Sequence, residues 1–180
     1  MQKVEVVLAD ITTMDVDAIV NSANRSLLSG GGVCGAIHRA AGRALELECL
    51  RLYPEGCATG DAVVTRGFNL PAQYVIHGVG PRLSTYDSVA DAAIDLASCY
   101  RRCIEEAAKL GLKSIAFPSI STGIYGFPLA EASVVAAETI AVALKDHPDI
   151  ERLIICCFDE EDRVAYAAAF ERQGLIRATS

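Results

Sequence analysis

Two short segments carry the residue types that grip phosphate. They are Gly30-Gly31-Gly32, and the stretch from Ser119 to Gly126 with Ser119, Ser121, Thr122, Gly123 and Gly126 close together. Glycine admits positive φ and lets backbone N–H groups approach an anion with no Cβ in the way, and serine and threonine hydroxyls add donors. Each turn follows an apolar β-like run and precedes a helical pattern, the position where open α/β sheets bind ligands. Either turn alone reads as an ordinary tight turn. Two at matching positions favour a pair of anion sites sharing one ligand, which suits a diphosphate. The standard fingerprints do not fit: there is no GxxxxGK(S/T), and GGGVCG is not GxGxxG with an acidic residue after the next strand. A Walker-type NTPase is disfavoured.

The elements that must hold these turns can be read from hydrophobic periodicity. Val4 to Leu8 and the continuous apolar Ala18-Ile19-Val20 read as strands, the second buried on both faces. Val33, Ile37, Ala40, Ala44 and Leu47 recur at helical spacing and predict one helix running out near Tyr53-Pro54. Ala62 to Thr65 and Tyr74 to His77 are strands, and Ala93, Leu96, Tyr100, Ile104 and Ala107 mark a helix ended by Gly111. Ser114 to Phe117 is a strand before the second turn, and Pro128 is expected in the first turn of the helix after it. Leu153 to Phe158 forms the last strand, and the acidic run Asp159 to Asp162 opens a closing helix. This alternation predicts an α/β fold of three layers, with a mixed, largely parallel sheet covered on both faces. Residues 1–180 read as one domain, with 175–180 a tail that frays from Arg177 onward.

Composition narrows the function classes. A 52% hydrophobic content and mean hydropathy of +0.30 over 180 residues supply a sizeable core. The net charge of −7 argues against duplex nucleic acid. No apolar run reaches the ~18 residues that span a bilayer and no secretory leader opens the chain, so a cytoplasmic protein without membrane contact is expected. Seven cysteines, Cys34, Cys49, Cys57, Cys99, Cys103, Cys156 and Cys157, show no CxxC pair or disulfide spacing and read as reduced thiols. Cys99 and Cys103 lie four apart on an apolar helix face, where core packing is expected rather than metal ligation. No metal or cofactor is called for.

Several further motifs join the two turns: Asp10-Ile11-Thr12, Asp17 to Asn24 (DAIVNSAN), Leu27 to Val33 (LLSGGGV), Gly35 to Gly42 (GAIHRAAG), Pro71-Ala72, His77, Gly80-Pro81, and Phe117 to Pro128 (FPSISTGIYGFP). Together they resemble the macrodomain family, in particular its MacroD-type branch of ADP-ribosyl hydrolases and O-acetyl-ADP-ribose deacetylases, from about residue 3 to 173. The resemblance implies the macrodomain fold and ADP-ribose, free or on a modified protein, as ligand. It assigns Asp10 to the adenine amino group, the Ile11 backbone beside it, and Phe158 to the ring. Gly31, Gly32 and Val33 would meet the diphosphate and distal ribose, with Ser121, Thr122, Gly123, Ile124 and Tyr125 closing the opposite side and Tyr125 stacking on that ribose. Asn24 would bond a distal ribose hydroxyl, while Asn21 ties the loop together. Each has a plainer reading: Asp10 as a turn cap into Thr12-Thr13, Phe158 as a core aromatic, Asn24 as a turn residue.

The chain departs from its family where catalysis is decided. Hydrolytic members carry GGGVDG, and the aspartate that activates or orients water is here Cys34. A thiol with pKa near ~8.5 is mostly protonated at neutral pH and a poor acceptor. Three readings compete: loss of turnover; retained hydrolysis with the ligand's diphosphate and Asn24 positioning water; and a thiolate, since a helix N-terminus and His38 one turn on can each lower a thiol pKa. The implied function is hydrolysis of ADP-ribosyl esters, with Asn24 and Cys34 at the chemistry. The alternative is a non-catalytic ADP-ribose reader. Smaller departures are Ala9 for glycine, Ser22 for alanine and Gly78 for threonine.

Overall fold

Six strands share one sheet in the order β1-β6-β5-β2-β4-β3 in this computed structural model, which describes residues 1–178. The strands are β1 (Lys3–Leu8), β2 (Ala18–Ser22), β3 (Ala62–Arg66), β4 (Tyr74–Gly78), β5 (Ser114–Phe117) and β6 (Arg152–Cys157). Every neighbouring pair is parallel except β3 with β4, as the alternation of strands and helices predicts. The helices are α1 (Gly32–Ala41), α2 (Arg43–Leu52), α3 (Val89–Lys109), α4 (Leu129–Asp146) and α5 (Glu160–Arg172), with single 3-10 turns at Ile11–Thr13 and Leu83–Thr85.

The strands' period of two sorts the core into two layers. Ala18, Val20, Ile115, Phe117, Leu153 and Ile155 pack toward the layer holding Leu96, Tyr100, Ile140 and Phe170 of α3, α4 and α5. Ile19, Ala116, Ile154 and Cys156 face the other way, onto Ile37 and Ala41 of α1 and Leu45 of α2. β2 pairs with β4 along its whole length but with β5 only at Ala18 and Ile19, so Val20 to Ser22 run on beside no β5 residue. That parting opens a crevice at the carboxyl ends of the central strands, the place where such sheets take ligands.

Four expectations are corrected. The single helix after Gly32 is two helices, because Gly42 adopts φ +89° and ends α1 with its N–H on the His38 carbonyl. The break resets the helical phase: Leu45 and Cys49 are buried, while Ala44 is exposed and Leu47 is 52% exposed. Pro128 caps α4 rather than entering its first turn, and β6 stops at Cys157, leaving Phe158 outside the strand. Leu175 and Ile176 pack on the core instead of fraying, and residues 179 and 180 of the predicted tail lie outside the described residues.

All seven cysteines are free thiols and buried. Cys99 and Cys103 are fully buried on α3, as the apolar spacing predicts, and they account for Gly78 on β4: a Cβ there would lie 2.9 and 2.7 Å from their sulfurs. The sulfur pair occupies the space that a larger residue would need. No helix is long and apolar enough to cross a membrane among the described residues.

Candidate nucleotide-binding site

Parallel strands bring their carboxyl ends to one edge, and just beyond the ends of β1, β6, β5 and β2 come Asp10, Phe158, the Ser119 turn and the Ala23-to-Gly31 loop. With neighbours roughly 4.8 Å apart, four adjacent strands spread these groups over roughly 14 Å. The row suits an extended ligand.

At β2 the loop feeds α1 directly. Gly31 is the N-cap, the first intrahelical bond runs from the Gly35 N–H to the Gly31 carbonyl (3.2 Å), and the N–H groups of Gly32, Val33 and Cys34 lack helical partners. No acidic side chain occupies the first turn, so these donors and the positive end of the helix dipole are left for an anion. Gly32 has φ +57°, and nothing lies within 4 Å of a Cβ at Gly31 or Gly32, so the approach is open. Gly35, beneath the loop, is glycine for a different reason: a Cβ would sit 2.3 Å from the Gly30 carbonyl oxygen.

At β5 the second turn works differently from its expected role. It ends at Gly126, before α4 begins at Leu129, so it offers loop N–H groups and not a helix terminus. Phe127 N–H to the Ser121 carbonyl (2.9 Å) and Gly126 N–H to the Gly123 carbonyl (3.0 Å) close the loop. Among the described residues the N–H groups of Thr122, Gly123, Ile124 and Tyr125 have no backbone partner, which makes a small anion-receptive concavity. The hydroxyls of Ser119 and Thr122, expected to face phosphate, brace the loop instead: Ser119 Oγ lies 2.6 Å from Thr122 Oγ1 and 2.6 Å from Tyr166 Oη. Ser121 sits at φ +67° with a buried hydroxyl that finds no partner. Gly80 makes room for it, since a Cβ there would fall 2.3 Å from Ser121 Oγ. Tyr125 is half-buried, its carbonyl held by the Leu83 N–H at 2.9 Å, and Ile124 is 92% exposed.

The outer strand ends hold the remaining groups. Asp10 caps the 3-10 turn: its Oδ1 accepts from the Thr12 N–H (2.9 Å) and hydroxyl (2.7 Å), so the turn-cap reading holds while Oδ2 stays outside those bonds. The Ile11 N–H, first in that turn, has no helical partner. Phe158 is 91% exposed, which overturns its reading as a core aromatic.

Asn24 braces its own loop, and Asn21 reaches toward Cys34 and His77. Asn24 ties its own loop, Nδ2 donating to the Leu28 carbonyl (2.8 Å) and Oδ1 accepting from the Leu28 N–H (3.1 Å) and the Ser26 hydroxyl (2.9 Å). Its second amide hydrogen is outside these bonds. Asn21 is fully buried and spans the chemistry, Nδ2 lying 3.7 Å from Cys34 Sγ and 3.1 Å from His77 Nδ1. With the amide in this orientation His77 Nδ1 accepts, so its proton sits on Nε2 and is donated to Thr65 Oγ1 at 2.9 Å. Burial, reinforced by nearby His38, pushes the His77 pKa down to about 3, so the ring is neutral at physiological pH. Sequence reasoning listed His77 as a motif residue and missed this role; its partners Thr65 and Asn21 lie 12 and 56 residues away.

Cys34 is 6% exposed, and its thiol donates to the Leu28 carbonyl at 3.6 Å. Burial pushes its pKa up; the Asn21 amide and Gly30 N–H pull back, and Glu46 adds to the rise. Burial also lowers the His38 pKa, against a smaller opposing effect of Glu46, so His38 supplies no imidazolium to stabilise a thiolate. Desolvation thus works against the acidified thiol that the helix N-terminus and His38 suggest.

The macro domain family model matches residues 20–136, a span holding both turns and the Asn21–His77–Cys34 contacts. Human ADP-ribose glycohydrolase MACROD2 is 49% identical over 166 residues, covering 92% of this chain and 38% of that protein. O-acetyl-ADP-ribose deacetylase 1 of Pantoea vagans is 45% identical over 168 residues, 92% of this chain and 97% of the relative. A glycine-to-valine mutant of the Oceanobacillus iheyensis macrodomain, solved with ADPR, superposes with a TM-score of 0.88 at 40% identity, covering 94% of this chain and 92% of the other. The fold thus superposes on a macrodomain structure along nearly the whole chain, and the chain belongs to the macrodomain family.

Proposed function

We propose that this chain binds ADP-ribose and hydrolyses ADP-ribosyl esters, either O-acetyl-ADP-ribose or mono-ADP-ribosylated Asp and Glu side chains of proteins. The observation that carries the reading is the row of adjacent strand ends, where Asp10, Phe158 and two turns with unpaired N–H groups follow one another across the crevice. The relatives named for glycohydrolase and deacetylase activity support it, as does the similar fold solved with ADPR. In this reading Asp10 Oδ2 accepts from the adenine amino group, the Ile11 N–H lies beside it, and Phe158 covers the ring. Gly31, Gly32 and Val33 donate to the diphosphate from one side, and Ser121, Thr122, Gly123 and Ile124 from the other. Tyr125 packs on the distal ribose, and Asn24 bonds one of its hydroxyls.

The chemistry then follows from what each group still has free. A neutral thiol aimed at the Leu28 carbonyl is neither base nor nucleophile, so Cys34 fills space at the distal ribose. Water is oriented by the ligand's own diphosphate and by the ribose hydroxyl that Asn24 holds, and it adds to the ester to release ADP-ribose and the carboxylic acid. A positioned site without its base still accelerates hydrolysis, though less than one with a carboxylate. The buried, neutral Cys34 also favours a second reading, an ADP-ribose reader without turnover. A single macrodomain over residues 1–180, with seven reduced thiols, suits the reducing cytoplasm.

Calorimetric titration with ADP-ribose, ADP and AMP tests the binding. The expected order is ADP-ribose tightest and AMP weakest, because each added group engages a further strand end. Equal affinity for all three, or no binding of ADP-ribose, refutes the site.

A further inference from the structure

Beside Tyr125 lies a cavity of about 440 Å³, lined in part by Arg25, Ser26, Thr59, Arg82, Thr85 and Tyr125. Among the described residues no carboxylate lines it, in a chain of net charge −7. Its donors are unequally available. The Ser26 hydroxyl is spent on Asn24 Oδ1 (2.9 Å) and the Thr85 hydroxyl on the Arg82 carbonyl (2.8 Å). The two guanidiniums, with five N–H groups each, make no ion pair among the described residues. Their roots are fixed: the Arg25 carbonyl accepts from the Cys57 N–H at 2.8 Å, and Arg82 caps the 3-10 turn whose Leu83 N–H holds the Tyr125 carbonyl at 2.9 Å. The two arginines therefore flank the two residues assigned to the distal ribose.

Resting on the proposed function, we infer that this cavity receives the acceptor side of the substrate, and that Arg25 and Arg82 select acidic polypeptide around the modified Asp or Glu. Carboxylates are acceptors only, and a guanidinium fork meets them two bonds at a time. The chain's negative charge disfavours a polynucleotide acceptor, so a short acidic peptide drawn to a local cationic patch is the class that fits.

The test pairs two peptides ADP-ribosylated on one Glu, one flanked by Asp and Glu and one by Ser and Gln, with free ADP-ribose as control. Hydrolysis (kcat/KM) and competition against labelled ADP-ribose are both measured, so the answer does not depend on turnover. Two exposed ion pairs give the wild type a preference for the acidic peptide of about tenfold, shrinking at high salt. R25A/R82A abolishes the preference and R25E/R82E reverses it, while free ADP-ribose affinity is unchanged in both, which also reports folding. Equal use of the two peptides by the wild type, or a preference surviving in R25E/R82E, overturns the inference. So does an ADP-ribosylated oligonucleotide end that outcompetes the acidic peptide. Failure of the wild type to bind free ADP-ribose sinks the parent reading instead.

Discussion

Replacing His77 with Asn should make the protein less stable at pH 8 and yet less sensitive to acid. His77 is neutral in the folded protein, its pKa held at about 3 by burial, whereas in the unfolded chain it titrates near 6.5. Between those values the unfolded state binds a proton that the folded state does not, so stability falls as pH falls. The slope approaches about 1.4 kcal/mol per unit below pH 6, and from pH 8 to pH 5 the loss totals about 2 kcal/mol from this one ring. Asn keeps an acceptor for Asn21, loses the donor to Thr65 and leaves a small void, which costs roughly 1–3 kcal/mol at pH 8. Urea unfolding of both proteins at pH 8, 7, 6 and 5, with equal m-values as the check on two-state behaviour, should give curves that converge toward acid. Carboxylates and His38 titrate in both proteins, so the difference isolates His77. Parallel curves would refute the buried neutral ring and with it the proton placement along Thr65, His77 and Asn21.

Three further substitutions probe the packing and the ligand contacts. Gly78→Ala should cost about 1–3 kcal/mol by driving a Cβ into the Cys99 and Cys103 sulfurs, and the cost should shrink in a Cys103→Ala background; a double-mutant cycle in urea reads the coupling. Phe158→Ala should leave stability within about 0.5 kcal/mol, since the ring is in solvent, while ADP-ribose affinity falls about tenfold or more by calorimetry. Asp10→Asn should preserve the turn cap and hence the melting temperature, because Oδ1 still accepts from Thr12. It places an N–H₂ where Oδ2 stood, so binding should weaken for ADP-ribose and improve for its hypoxanthine analogue.

The strands were legible in the sequence as short continuous apolar runs such as Ile115-Ala116-Phe117 and Leu153-Ile154-Ile155, whose successive residues enter opposite layers. The break at Gly42 was not, since glycine is tolerated inside helices and Ala44 and Leu47 continue the phase of Val33 and Ile37. Only the contact of Gly42 with Asn69, 2.9 Å from a Cβ there, and its positive φ reveal the stop. Motif residues located the turns, but not which hydroxyls are already spent: Ser119 is committed to Tyr166, 47 residues on in the chain. Cys34 illustrates the limit most clearly. A helix N-terminus and a nearby histidine both suggest a lowered pKa from spacing, while burial, which no spacing encodes, pushes the thiol pKa up.

In the proposed hydrolysis at the distal ribose Cys34 takes no proton. Turnover of an ADP-ribosyl ester by wild type, Cys34→Ala and Cys34→Asp, followed from pH 6 to 9, tests it most directly. Wild type and Cys34→Ala should show measurable and equal rates with no thiol-like inflection, and Cys34→Asp a gain of about a hundredfold or more as a carboxylate base returns. A Cys34→Ala rate well below wild type would contradict it in favour of a reactive thiol, and turnover by Cys34→Asp alone would contradict it in favour of a reader.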